Sequence, residues 1–593
     1  MRVADYIIEK LYQKHIHHIF MVTGRGALFL TDAVAAHKQM IAISVHHEQS
    51  AAFAAISYSN CNEKLGACLV STGCASTNTI TGVLNAWQDA IPCIFISGQN
   101  KLKETTRYTK IPIRTYGQQE ADIVSLVEPI TKYAAMITDP KKVVYELEKA
   151  IYLAQEGRKG PVWIDVPLDI QNMRINPEDL ESYTHPKESI KSSSNEDIDY
   201  VLEKLNNSKR PAILIGSGVR ASNSIDELID FVEKNKIPLT YSASATDVYG
   251  LDNPLSFGSV GTMGCTRVGN FTVQNSDFLL VLGSRLSSMT VGEKNKFARD
   301  AKVIIVDIDE IEHSKDTVNI DKLIISDIKE FIKNLSKKVI RNTDKKWIEK
   351  CNNWKKIFPI CEEQHDSKDK IDLYQLADVF SNVLPPNSSL HTDSGLIELI
   401  LPTNIRFKKH QRLIHPFSQG SMGAVLPSLI GAYYTNVDVP IIAVVGDGSI
   451  MMNLQELETI RYNKIPAKIF VVNNNAYSVI RKRQNEMFRS RTIGTDSQNG
   501  VGCPDFEKVA NTFDFIYIKI ETAKKLEEQV NAVLNTDGFV LCEIMGLENQ
   551  NYISCGHAKN QNGKIVARPI EDQSPYLDRE LLLSEMIVQP IDQ

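Results

Sequence analysis

The chain of 593 residues lacks several things that would have placed it elsewhere. Its ten cysteines are scattered, and no two stand at a C-x-x-C spacing. That excludes the common zinc and dithiol motifs and argues against a disulfide framework; the thiols read as those of a reduced, cytoplasmic protein. No apolar run approaches the roughly 20 residues that cross a bilayer. The start, Met1-Arg2-Val3-Ala4-Asp5, leads into an amphipathic pattern rather than a secretory signal. Basic residues are not in excess: 66 Lys and Arg face 72 Asp and Glu, a net charge of −6, which argues against a nucleic-acid binder. No short repeat is visible.

What is present is a globular composition, 43% apolar, on a chain too long for one core. Apolar runs at 18–22, 40–45, 67–71 and 92–97 each precede a polar or glycine-containing turn and a helical segment. The pattern returns at 212–215, 238–242, 278–282 and 303–308, and again beyond 373. It predicts an α/β fold of three consecutive domains with parallel sheets: residues 1–180, 195–340 and 365–560, followed by a tail over 561–593. The polar, serine-rich stretch 181–200 reads as a linker. The charged stretch 332–372 reads as a helical connection with Trp347 and Trp354 as isolated anchors.

The densest chemistry lies between Pro440 and Ala476. An apolar strand ends in Gly446-Asp447-Gly448-Ser449, and the next ends in Asn473-Asn474-Asn475. Ligands of parallel sheets sit beyond the carboxyl ends of the strands. A hard carboxylate and a neutral amide oxygen suit a small octahedral cation that also keeps phosphate oxygens. Taken alone, Gly-Asp-Gly is equally an ordinary tight turn. The spacing resembles the diphosphate motif of thiamine-diphosphate (ThDP) enzymes. That resemblance implies Asp447, Asn474 and the carbonyl of Ala476 as Mg²⁺ ligands, with Gly446, Gly448, Ser449 and Tyr477 beside the cofactor.

Upstream, His46-His47-Glu48-Gln49 follows a strand and opens an alanine-rich helix. A lone glutamate there is ordinarily a helix N-terminal acid. The residues, however, resemble the HEQ-AA segment of the acetohydroxyacid synthase group, and further segments follow in that family's order: 71–79 (STGCASTNT), 119–122 (QEAD), 160–167 (GPVWIDVP) and 420–423 (GSMG). The resemblance implies Glu48 as the acid that exchanges a proton with the cofactor's pyrimidine ring. It implies Met422 as the wedge that bends the cofactor, and Gly24, Gly26, Thr72, Asn78 and Ser421 as its neighbours. Gln119 is the candidate for orienting substrate. It also implies a homodimer, or a tetramer of such pairs, with each site shared between Glu48 of one subunit and Asp447 of the other.

The departures concern the substrate. Arg25 stands in an early turn where the family has glycines, and Arg483 stands where the amino-acid-biosynthetic members have tryptophan. With Lys132 they form a candidate anion-binding acceptor pocket. In the middle domain Gly216, Gly218, Gly283, Arg285, Asp307 and Asp327 match places where the family holds FAD. Ser287 and Met289 depart from it, and FAD stays open. The expected function is a ThDP- and Mg²⁺-dependent carboligase. It would remove CO₂ from a 2-oxo acid, pyruvate in the first place, and pass two carbons to a second carbonyl compound, such as a nucleotide-linked keto sugar. Acetolactate synthesis, simple decarboxylation and a silent binding homologue are the alternatives.

Overall fold

A computed structural model describes residues 1–186, 191–341, 343–560 and 562–591, so part of the expected linker, 187–190, lies outside the described residues. The first sheet comprises β1 (His18–Met21), β2 (Ile41–Ser44), β3 (Gly66–Val70), β4 (Cys93–Gln99), β5 (Tyr133–Met136) and β6 (Val162–Pro167), in the order β2-β1-β3-β4-β6-β5. The second comprises β7 (Pro211–Ile215), β8 (Leu239–Tyr241), β9 (Ser256–Ser259), β10 (Phe278–Leu282), β11 (Lys302–Asp307) and β12 (Lys322–Ile325). Read from β9 its order is β9-β8-β7-β10-β11-β12, the dinucleotide-binding arrangement with its switch point between β7 and β10. The third comprises β13 (Ser389–Thr392), β14 (Arg412–Ile414), β15 (Ile441–Gly446), β16 (Lys468–Asn473), β17 (Ile516–Ile520) and β18 (Val540–Met545). Its order, β14-β13-β15-β16-β18-β17, repeats the first sheet strand for strand.

All pairings within these sheets are parallel. Central strands are apolar on both faces because helices cover both; β10 (FLLVL) and β3 (GACLV) are buried throughout.

The first and third domains share one core. Helix Glu48–Asn62 crosses helix Val425–Tyr433, and the small side chains of the first are what permit it: Gly431 lies against the backbone of Ala54, and Ser57 Oγ donates to the Ser428 carbonyl at 2.7 Å. The three domains meet at a buried ionic cluster. Arg220 and Arg412 each pair with Asp247, at 3.0 and 3.1 Å, and approach Glu63 at 3.6 and 3.7 Å.

One expectation changes and one element is added. Among the described residues the tail carries regular structure: a hairpin, His557–Lys559 with Ile565–Ala567, is followed by helix Arg579–Glu585. It docks on the middle domain, where Gln274 donates to Glu571 at 2.6 Å and Asn270 to Gln573 at 2.9 Å. Trp347 and Trp354 are not isolated. They lie on one face of helix Lys345–Ile357, meet edge to face at 5.7 Å, and pack with Phe271.

Candidate active site

The third domain builds one half of the site. Asp447 is the first residue after β15 and is buried. Its Oδ2 accepts the backbone N–H of Asn475 at 2.7 Å and of Asn474 at 3.1 Å; Oδ1 accepts Gly448 N–H at 2.7 Å. Burial pushes its pKa up, while these donors pull it down. The turn after β16 is thereby locked onto the carboxylate. Asn474 Oδ1 accepts the Ala476 N–H at 3.2 Å, so the amide and the Ala476 carbonyl belong to the same turn that the carboxylate holds. Glycine is required at 448: any Cβ there would collide with the Tyr477 ring. Above Gly446 the space is open, with no atom within 4 Å of where a Cβ would lie.

Behind this turn lies Asp393, which the sequence reading did not single out. It is fully buried at the end of β13, and its Oδ2 accepts Ser449 Oγ at 2.7 Å and Gly423 N–H at 3.2 Å. With no cation beside it, burial pushes the carboxyl up to about 7. Its Oδ1 and the hydroxyl of Ser421 are buried with no partner. Unsatisfied polar atoms of this kind call for a ligand. Together with a single hard carboxylate, an amide oxygen and the open cradle over Gly446, they fit a diphosphate with its divalent cation. Among the described residues no group of three or more His, Cys, Asp or Glu could hold a metal by itself. Met422 is half-buried beside Ser421 and Gly423.

The first domain builds the other half, at the carboxyl ends of β1 to β4. Glu48 opens its helix, capped by the His47 side chain, and is half-buried; Asn78 Nδ2 donates to its Oε2 at 2.9 Å. Four loops meet beside it. Ser71 Oγ accepts Gly26 N–H at 3.0 Å, and a Cβ on Gly24 would lie 2.5 Å from Ser71 Cβ. Gly73, at φ +62°, leaves room for the carbonyl of Gln119. Thr72 Oγ1 donates to Gln99 at 2.6 Å, whose amide donates to the buried Asp165 at 3.2 Å. The structure therefore brings Gly24, Gly26, Thr72, Asn78, Gln119 and Glu48 to one end of the sheet. Gln119 contributes its backbone, its side chain being exposed.

The three acceptor candidates do not converge. Arg25 is exposed near this loop cluster, reaching Gln118 at 3.4 Å. Lys132 lies at the start of β5, the opposite end of the sheet, where its ammonium meets the Glu156 carbonyl; it is removed from the pocket. In the triplet 481–483, Arg481 is buried and consumed by Glu548, at 2.7 Å, and Asp496, at 3.5 Å. Lys482 is half-buried, its ammonium 4.7 Å from the Tyr552 ring, and Arg483 is more exposed, 3.6 Å from Glu486 and 3.8 Å from the Met263 sulfur of the middle domain.

Met263 also lines a cavity of about 810 Å³ at the middle domain's switch point, with Gly218, Gly283, Arg285, Asp307 and Asp327. Gly216 packs against Gly283 and Ser284 instead. Most cations on the wall are neutralised: Arg220 and Arg412 by Asp247, and Arg158 by Asp309 and Glu312. Arg285 makes no ion pair among the described residues, and its charge reaches the buried Asp89. Asp327 caps the following helix at Glu330, and Asp307 faces His313 at 3.2 Å.

Comparison with known families follows the same three-part division. Residues 1–126 match "Thiamine pyrophosphate enzyme, N-terminal TPP binding domain", 198–335 the central domain and 393–544 the C-terminal TPP binding domain. Over 565 residues the chain is 31% identical to an acetolactate synthase large subunit of Cyanidium caldarium, covering 92% of this chain and 93% of that protein. It is 30% identical to a probable acetolactate synthase large subunit of Methanococcus aeolicus (91% and 90% covered), and 27% identical to acetolactate synthase 1, chloroplastic, of Zea mays (91% and 85% covered). No helix among the described residues is long and apolar enough to cross a membrane.

Proposed function

Because the chain belongs to the thiamine pyrophosphate enzymes, within the acetolactate synthase family, and is thus a ThDP-dependent C–C bond-forming carboligase, we propose that it acts on pyruvate as donor and on an acceptor that carries an anionic group. ThDP, when bound, supplies the electron sink that lets a 2-oxo acid lose CO₂. The chain's own residues do the rest. Asp447, Asn474 and the Ala476 carbonyl would hold Mg²⁺ beside the diphosphate, with Ser421 and Asp393 completing the cradle. Glu48, oriented by Asn78, would hold or release a proton at its carboxylate beside the bound cofactor. Met422, half-buried beside Ser421, would pack against the bound cofactor.

The single observation that supports this reading is the Asp447 carboxylate tied to the Asn474–Asn475 turn at 3.1 and 2.7 Å, with the open cradle over Gly446 beside it. For the acceptor, the half-exposed Arg483 against Met263 supports an anion, whether the carboxylate of a second 2-oxo acid or the phosphates of a nucleotide-linked keto sugar. The relatives' names favour the first, acetolactate synthesis. Two subunits share each site in this reading, Glu48 of one with Asp447 of the other. The middle-domain cavity, lined by Gly218, Gly283 and Arg285, supports FAD in a structural role, since carboligation is not a redox reaction. Arg285 would be its cationic contact, and a flavin absorption band in the purified protein tests it.

The test of function is pyruvate with a panel of carbonyl acceptors, analysed by mass spectrometry. Acetolactate from pyruvate alone, unaffected by phosphorylated acceptors, establishes the synthase reading. Products only with nucleotide-linked keto sugars establish the other. No consumption of pyruvate with any acceptor refutes both.

A further inference from the structure

Asn475 stands between Asn474 and Ala476 with its backbone in the left-handed region, at φ +57°. A residue other than glycine keeps that conformation only where its surroundings fix it. Here its N–H is shared by two acceptors, Asp447 Oδ2 at 2.7 Å and Asn473 Oδ1 at 3.0 Å. Asn473 can serve only with its amide oxygen turned towards that N–H and its NH₂ turned away.

That orientation is set by Glu543. Asn473 Nδ2 donates to Glu543 Oε1 at 2.6 Å, and the other Glu543 oxygen accepts the Tyr517 hydroxyl. A carboxylate accepts and does not donate. A flipped Asn473 amide would therefore set its oxygen against the carboxylate and its NH₂ against the Asn475 N–H. The three side chains stand on neighbouring strands, β17, β18 and β16. Tyr517 is level with Leu541 and Asn473 with Met545, so the set steps across one face of the sheet towards its carboxyl end. Asn473 and Glu543 are both buried, where such bonds are strong and costly to break.

We propose that Glu543 is a positioning residue for the divalent cation: by fixing the Asn473 amide it holds the Asn474–Ala476 turn in the shape that receives the metal. The role rests on the reading that Asp447, Asn474 and the Ala476 carbonyl hold Mg²⁺. Glu543 touches neither cation nor cofactor in it. Partners that orient a metal's ligands are worth about 10–100-fold in metal affinity.

The experiment is calorimetric titration of Mg²⁺ into the metal-free full chain at saturating ThDP, circular dichroism confirming that each variant is folded. Glu543→Leu removes both acceptors, and its Mg²⁺ affinity should fall about 10–100-fold. Asn473→Asp sets two carboxylates against each other and should fall as far. Adding Glu543→Gln to Asn473→Asp exchanges donor and acceptor: the glutamine amide donates to the new carboxylate, which still offers Asn475 an oxygen. The double variant should recover most of the loss, which a merely structural role would not bring about. The Asn473→Asp pair is near-isosteric and decides the question where Glu543→Leu does not fold. Unchanged affinity in Glu543→Leu, or a double variant no better than Asn473→Asp, overturns the proposal. Asp447→Asn separates it from the reading beneath it. If that variant loses Mg²⁺ while Glu543→Leu keeps it, the metal site stands and the positioning role alone falls. If Asp447→Asn binds Mg²⁺ as the wild type does, the metal lies elsewhere and both fall.

Discussion

Ser449 donates its hydroxyl to Asp393 at 2.7 Å, which ties the turn after β15 to the end of β13 and leaves the other oxygen of Asp393 buried and unpartnered. That carboxyl, pushed up to about 7 by burial, holds its proton more tightly folded than unfolded. Its contribution to stability is therefore complete below the ordinary carboxyl range and is lost as pH rises towards 7. Asp165, also raised to about 7 by burial, acts in the same direction. The cofactor-free protein should lose stability between pH 4 and 7 on this account, by about 1–4 kcal/mol for each group. Asp393→Asn should flatten that slope in urea unfolding series at pH 5 and pH 8; an unchanged slope would show that the carboxyl is not the titrating group.

Glu48→Gln should keep cofactor affinity and lower kcat by about 10²–10⁴-fold, the usual span for a positioned acid or base. Asn78 is a milder handle. Its amide donates to Glu48 at 2.9 Å, and Asn78→Ala should cost about tenfold in kcat, as the loss of a charge-assisted hydrogen bond does. Steady-state rates with ThDP affinity measured in parallel distinguish the two effects, since loss of binding alone would leave the saturated rate intact.

The junction of the three domains should be sensitive to one carboxylate. Asp247 pairs with both Arg220 and Arg412, and its side chain is 6% exposed. Asp247→Ala leaves two guanidinium groups with only the more distant Glu63, at 3.6 and 3.7 Å. Stripping one partner from a buried ion pair costs about 3–5 kcal/mol. A thermal melt of the variant should fall by several degrees, and the cavity beside the cluster should become more accessible to proteolysis.

Much of the architecture was legible because it repeats one local rule. An apolar run ending in a polar turn marks a parallel strand and the end at which ligands bind, and that rule located Glu48, Thr72, Asp447 and Asn474 at the carboxyl ends of their sheets. It could not rank charges by partner. Arg481 stands two residues before Arg483 and is as basic in sequence, but Glu548, which neutralises it, lies 67 residues on. Lys132 shares a domain with the site yet sits at the other end of its strand. Trp347 and Trp354 were obscured by the lysines around them, although their seven-residue spacing puts them on one helix face. Glu543 carried no signal at all: an acid within an apolar strand acquires meaning only once Asn473 and Tyr517, from the strands on either side, close around it.

Arg483 gives the sharpest test of acceptor choice. It is the most exposed member of its triplet, and it reaches Met263, which lines the middle-domain cavity. Glu486, half-exposed at 3.6 Å, is a weak competitor for its charge. If Arg483 binds the acceptor's anion, Arg483→Ala should raise the acceptor KM about tenfold or more while leaving CO₂ release from pyruvate alone little changed. Arg481→Ala should differ in kind, because that guanidinium is held by Glu548 and Asp496; the expected result is a lower melting temperature with no selective effect on acceptor KM. Equal loss of donor and acceptor turnover in Arg483→Ala would place this arginine in the fold's support rather than in substrate selection.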